Sequence, residues 1–309
     1  MSDNHAQFRG AWCPSITPFD QQGNIDLSAL QQHLRRLEEA GTHVVLLMGS
    51  IGEFTALTLD ERLMLIREAR KMSSLPLVAN ISATCMADMI CLAEEAWHCG
   101  YQAVMILPHY YFQQTPAQLL AYYRDLGQRL NGKWFAYNFP ARTGCDLDAV
   151  LVAQLAAEFP NFVGVKDTVD CLSHTRAIIQ SVASVRDDFV VLSGYDEYLI
   201  PNLLAGGAGV ISGLNNICPE LFVQAIKAWD ENDLTQLTGI QREISRLSAI
   251  YNIGNDFVTT IKTAVAHKFQ YSGENQDPQR YLTIKDKIEV GFHDSNVSLL
   301  LEADNELHE

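Results

Sequence analysis

Short apolar runs recur along the chain, and each is followed by a stretch whose apolar residues repeat with a helical period. The runs fall at 10–19, 43–48, 75–82, 103–107, 133–138, 162–167, 188–193 and 209–212. They are rich in Val, Ile and Leu and do not alternate with polar residues, which is the pattern of strands covered on both faces. Helices are predicted at 26–40, 58–72, 86–99, 116–130, 147–158, 173–182, near 197–205 and at 219–230. In the first of these Leu27, Leu30, Leu34 and Leu37 share one face, Asp26 precedes it as an N-cap and Gly41 follows it as a stop. Thr58-Leu59-Asp60-Glu61 has the form of a capping box at the second, and Gly100 stops the third.

Eight strand–helix units in a row with short connections predict right-handed βαβ units closing into a (β/α)8 TIM barrel. The rival is a doubly wound open sheet, which normally carries a glycine-rich phosphate loop after its first strand. Here that strand ends Ser15-Ile16-Thr17-Pro18-Phe19, without such a loop. After residue 230 only helical patterns remain, at 234–251, 256–268 and 280–290. The expected organisation is a barrel catalytic domain over 1–230, a C-terminal helical extension over 231–293 and an acidic tail over 294–309.

Composition narrows the partners. With 22 basic against 37 acidic residues the formal net charge is −15, which argues against nucleic acid and against an anionic membrane surface. No stretch approaches the length of apolar sequence needed to span a bilayer, so no membrane span is expected. The start, Met1-Ser2-Asp3-Asn4-His5, lacks a basic segment followed by an apolar one, so no signal peptide is expected. Seven cysteines, an odd number with no CxxC, read as free thiols in a reducing compartment, hence a cytoplasmic location.

In a barrel of this kind chemistry sits at the C-terminal ends of the strands. The sixth run, FVGVKD at 162–167, delivers Lys166 to that end. Burial of an amine favours its neutral, nucleophilic form, and a common use of such an amine is a Schiff base with a carbonyl substrate. Taken alone, the stretch fits equally a lysine that snorkels to solvent. The second run ends in Gly49-Ser50-Ile51-Gly52-Glu53, a turn whose free N–H groups suit an anion but which also fits an ordinary βα connection. The fourth ends at Pro108-His109-Tyr110-Tyr111, and the fifth at Tyr137-Asn138, followed by Phe139-Pro140-Ala141-Arg142. Gly194-Tyr195-Asp196-Glu197 follows the seventh, and Ile211 lies in the eighth. Each has a plain structural reading: core tyrosines, a solvated arginine, and acids at a helix N-terminus. Their convergence on one mouth suits an amine nucleophile, a phenolic proton carrier and a carboxylate-bearing substrate. No cluster with metal-ligand spacing is present in the sequence, so no metal is expected.

The motifs GSIGE at 49–53, YNFPARTG at 137–144, GVKDT at 164–168, GYDE at 194–197 and GGAGVISG at 206–213 resemble those of the dihydrodipicolinate synthase / N-acetylneuraminate lyase family of class I pyruvate aldolases. The resemblance runs from about residue 10 to about residue 268. It implies that Lys166 forms the Schiff base with the keto carbon of pyruvate, so that no separate cofactor is needed, and that Tyr137 carries protons. It implies that Ser50 and the N–H of Ile51 cradle the carboxylate, and that the carbonyl of Ile211 contacts the pyruvate unit. It implies a tyrosine that crosses a dimer interface, Tyr110 counted from Pro108 or Tyr111 counted back from Tyr122-Tyr123, and hence a homo-oligomer, a dimer or tetramer.

The substrate is less sharply marked. Arg142 matches the arginine that holds aspartate semialdehyde in dihydrodipicolinate synthases. Against the synthase, Ile51 replaces a hydroxyl residue of its turn. Lys166-Asp167-Thr168 resembles 2-keto-3-deoxy sugar acid aldolases, as do Phe54 and Val169-Asp170. Gly194, Asp196 and Glu197 resemble the polyol-binding rim of neuraminate lyases, and Thr168 has a hydroxyl to offer a polyol. Gly213 stands where neuraminate lyases carry a serine. The leading expectation is therefore an aldolase that interconverts a 2-keto-3-deoxy sugar acid with pyruvate and an aldehyde. The alternatives are dihydrodipicolinate synthase, neuraminate lyase, and a barrel retained as a non-catalytic binding module.

Overall fold

The computed structural model describes residues 4–20, 22–253 and 256–271. Strands β1 (Gly10–Pro14), β2 (Val44–Leu47), β3 (Leu77–Asn80), β4 (Ala103–Ile106), β5 (Trp134–Asn138), β6 (Phe162–Asp167), β7 (Val190–Ser193) and β8 (Gly209–Ile211) close into a barrel in sequence order. The last strand returns to the first in parallel, pairing Gly10 with Gly209 and Trp12 with Ile211. This is the (β/α)8 barrel that the periodicity predicts, with helices alternating between strands.

All the strands but β6 are shorter than the apolar runs. β1 ends at Pro14, where the expected run continues to residue 19. Past that point Ile16 N–H donates to the Asn216 side chain at 3.0 Å, so the backbone bonds leave the sheet. The helix starts follow their caps. Asp26 accepts from Ala29 N–H at the start of α2 (Leu27–Glu39), and Thr58 and Glu61 form a reciprocal capping box on α3 (Leu59–Met72). Thr115 and Gln118 form a second box on α5 (Pro116–Arg129), and Asp148 caps α7 (Ala149–Glu158). Two short helices are additional to the expected pattern, α1 (Asn4–Phe8) and α6 (Pro140–Thr143). The remaining helices are α4 (Met86–His98), α8 (Leu172–Ala183), α9 (Leu199–Leu204), α10 (Pro219–Asp230), α11 (Leu234–Leu247) and α12 (Phe257–Tyr271). The expected helix at 280–290 and the acidic tail lie outside the described residues.

By internal contacts the described residues fall into two compact units, one within 4–12, 43–46 and 75–212 and one within 13–42, 47–74 and 213–271. In the first, the interior of the barrel at its N-terminal end is filled by aromatic side chains. Phe8 from α1 meets Phe135 of β5 edge-on at 5.1 Å and Trp12 of β1 at 5.8 Å, and all three are fully buried. Gly164 makes room for this packing, since a Cβ there would stand 2.3 Å from Phe135. In the second unit α2 buries Leu30, Leu34 and Leu37, and α11 buries Leu237, Ile240, Ile244 and Leu247, each one side of an amphipathic helix.

Candidate active site

Two neighbouring strands place the amine and the phenol. β5 and β6 pair in parallel with Tyr137 beside Lys166 and Asn138 beside Asp167. Side chains alternate along a strand, so paired residues share a face and the next pair faces the other way. Phe135, two residues before Tyr137, belongs to the barrel filling, so Tyr137 and Lys166 point inward and Asn138 and Asp167 outward. Lys166 is 5% exposed, and its Nζ lies 4.2 Å from the centre of the Tyr137 ring. The amine is therefore held against the phenol and out of bulk water, a cation–π geometry when protonated. Tyr137 is itself backed by Phe139, with ring centres 5.9 Å apart and planes 22° from parallel.

The same unit carries several of the other expected residues. Thr168 follows β6, its N–H bonded to Asn138 C=O at 2.9 Å, and its Oγ1 is buried without a hydrogen-bond partner. A Cβ on Gly194 would fall 2.0 Å from that Oγ1, so this position after β7 accepts only glycine while Thr168 keeps its place. Asp196 is buried and Glu197 half-buried in the single 3-10 turn Asp196–Tyr198. Tyr198 donates its hydroxyl to Asp170, which holds its phenol above the usual tyrosine range. Burial, with Asp170 and Glu197 nearby, raises Tyr195 as well. Ile211 is buried on β8. Arg142 lies on α6 and is exposed.

Of the two adjacent tyrosines after β4, Tyr110 is half-buried, close enough to Tyr122 to help raise the latter's pKa, which burial already pushes up. Tyr111 is 87% exposed with a left-handed φ of 93°, and its ring meets Phe112, 70% exposed, edge-on at 4.9 Å.

The turn 49–53 belongs to the second unit. Met48 and Glu53 flank it with left-handed φ values of 56° and 59°. Glu53 Oε1 pairs with Lys262 Nζ of α12 at 2.6 Å, and both side chains are buried. The Lys262 Nζ also lies 4.4 Å from the Phe19 ring centre. Thr17 Oγ1 donates to Gly52 C=O at 2.8 Å. Ser50 is half-buried and Ile51 buried within this framework. At Gly213 a Cβ would stand 2.3 Å from the Tyr251 hydroxyl and 2.9 Å from Ile51 Cδ1, so the position is glycine because a phenol fills its side-chain space.

Three features of the two units escape the sequence reading: in the second, the Glu53–Lys262 pair and the packing of Tyr251 over Gly213, and in the first, a polar cluster around Asp167. Only the last had a local signal, since alternation along β6 sends Asp167 away from Lys166 into a layer where an unpaired carboxylate is costly. Among the described residues, no group of three or more His, Cys, Asp or Glu side chains is arranged to hold a metal ion.

The model of the Dihydrodipicolinate synthetase family matches residues 7–280 of the chain. The chain belongs to this family. It is an enzyme, a lyase of the class I aldolase kind. Among family members, YagE of Escherichia coli (strain K12), whose name assigns it provisionally as a 2-dehydro-3-deoxy-D-gluconate aldolase, is 32% identical over 84% of this chain and 87% of its own length. The same bacterium's YjhH, named a probable 2-dehydro-3-deoxy-D-pentonate aldolase, is 32% identical over 83% of this chain and 86% of its own. The crystal structure of YagE in complex with pyruvate superposes with a TM-score of 0.89 at 28% identity, covering 97% of this chain and 99% of that one.

Proposed function

We propose that this family member is an aldolase of 2-keto-3-deoxy sugar acids that works through a Schiff base on Lys166. The observation that carries the reading is the buried Lys166 amine lying against the Tyr137 ring at the C-terminal end of the barrel. The names of YagE and YjhH, and the pyruvate bound in the YagE crystal structure, support the same substrate class.

The amine adds to the keto carbon of the sugar acid, and Tyr137 returns a proton to the departing oxygen as water leaves. The resulting iminium draws electrons from the C3–C4 bond. The C4 hydroxyl loses its proton, the bond breaks, an aldehyde departs, and an enamine remains. Protonation of the enamine at C3 and hydrolysis of the imine release pyruvate and restore the amine. Ser50 and Ile51 N–H, after β2, are the assigned carboxylate ligands, and Ile211 C=O the assigned contact of the pyruvate unit. Thr168, Asp196 and Glu197 are the assigned partners of the polyol. The unpartnered Thr168 hydroxyl supports this, since a buried hydroxyl without a partner costs free energy that a substrate hydroxyl would recover.

Incubation with pyruvate and borohydride is expected to fix one reduced pyruvyl group on Lys166. A chain of unchanged mass overturns the reading. The rival condensation with aspartate semialdehyde places its second carboxylate on Arg142, which is exposed here. Arg142→Ala is expected to lower sugar acid cleavage by less than about tenfold, whereas loss of nearly all activity would favour the synthase. The interface tyrosine is Tyr110 or Tyr111; exposure favours Tyr111, which with Phe112 presents an aromatic pair to solvent, and a homodimer or tetramer is the assembly we assign. Seven free cysteines support a reducing, cytoplasmic setting.

A further inference from the structure

Behind Lys166 and Tyr137, on the outward face of β5 and β6, five polar side chains form a connected cluster. Asn138 Nδ2 donates to Asp167 Oδ1 at 3.0 Å and to Asp146 Oδ1 at 2.9 Å. His174 on α8 bridges the same two carboxylates, with Nδ1 3.0 Å from Asp167 Oδ2 and Nε2 3.2 Å from Asp146 Oδ2. Thr175 Oγ1 donates to Asp167 Oδ2 at 2.6 Å, and Leu147 N–H to Asn138 Oδ1 at 3.0 Å. Asp167 is fully buried. Asn138 is the residue after Tyr137, and Asp167 the residue after Lys166.

We propose that Asn138, Asp146, Asp167 and His174 form a positioning clamp that locks the ends of β5 and β6 together, fixing the Tyr137 phenol against the Lys166 amine. The inference rests on the aldolase reading above. None of the four residues touches the inward face, so the clamp acts through the strand ends. The backbone continues the link: Thr168 N–H bonds to Asn138 C=O, and Gly194 N–H to Asp167 C=O at 2.8 Å, so the clamp also ties in the turn after β7.

His174 has a form that suits this task. A ring whose two nitrogens each face a carboxylate donates to both only as the imidazolium. The hydrogen bonds to Asp146 and Asp167 raise its pKa to about 10, so the bridge is cationic at neutral pH. The other titratable neighbour is the exposed Cys171 thiol, whose pKa falls chiefly through its Ser173 hydrogen bond and to a lesser degree through His174. Two carboxylates share one cation, so removing either acid or the ring loosens one strand end relative to the other.

The test compares wild type, Asp146→Asn and His174→Ala, each with its competent sites counted by pyruvate and borohydride labelling of Lys166. Misplacement of reacting groups by a fraction of an ångström costs on the order of tenfold or more. Both variants are therefore expected to lose about tenfold in kcat per labelled site, with KM for the keto acid within about twofold. A residue that merely supports folding would lower the number of labelled sites and leave kcat per site intact, and that result overturns the proposal. Asp146→Asn keeps the shape of the side chain and decides the matter if His174→Ala fails to fold. Failure of the wild type to label would reject the aldolase reading itself, whereas a labelled wild type with unimpaired variants rejects only the clamp.

Discussion

At the scale of single residues, the proposed mechanism assigns the chemistry to two side chains on adjacent strands, and their separate roles are open to measurement. In it Lys166 supplies the bond and Tyr137 the proton. Replacing Tyr137 by Phe keeps the ring on which the ammonium rests and removes only the hydroxyl. General acid–base catalysis by one positioned group is worth about 10²–10⁴-fold. Turnover of Tyr137→Phe is expected to fall by that range while prolonged incubation with pyruvate and borohydride still labels Lys166. The placement of Lys166 and Tyr137 at neighbouring strand ends was legible, because the sixth apolar run delivers a lysine to its end and the fifth a tyrosine. The clamp was not, because Asn138 and Asp167 look like any polar residues after a strand, and their partners Asp146 and His174 come from a loop and a helix that only the folded chain brings together.

Among the elements, the strands and helices could be read from periodicity and caps, with Thr58, Asp26 and Asp148 each starting its helix where expected or within two residues of it. The short α6 carries no signal in the sequence, because four residues are too few to show a helical period. The bond between the turn 49–53 and α12 was equally hidden, since some two hundred residues separate Glu53 from Lys262 in the sequence. That pair is fully buried, so removing one partner strands the other charge, at a cost of about 3–5 kcal/mol. Lys262→Met is expected to destabilise the protein by that amount in urea titration. The double variant Lys262→Met with Glu53→Gln, which leaves no unpaired charge, is expected to regain part of the loss.

For the whole molecule, two histidines give stability opposite slopes with pH. His174 is raised from 6.5 to about 10 by its carboxylate partners. The folded state holds that proton more tightly, so the contribution is complete below pH 6.5 and fades as pH climbs toward 10. His33 is lowered from 6.5 to about 3, first by burial and then by Arg36. There the unfolded chain takes the proton that the folded one refuses, so stability is lost as pH falls from 6.5 toward 3. Urea midpoints are expected to decline on both sides of pH 6.5. His174→Ala should flatten the alkaline limb and, because Asp146 loses the partner that chiefly lowers it, ease the acid limb as well, while His33→Gln should reduce the slope of the acid one only.

The aromatic trio of Phe8, Trp12 and Phe135 corks the tube at its floor, so whatever the proposed Schiff base on Lys166 holds would come and go by the roof. Traffic through one doorway must queue: whatever is tethered to the amine sits innermost, and the other fragment stands between it and the exit. Cleavage should therefore expel the aldehyde first and pyruvate last, and added pyruvate should inhibit competitively against the sugar acid while added aldehyde does not.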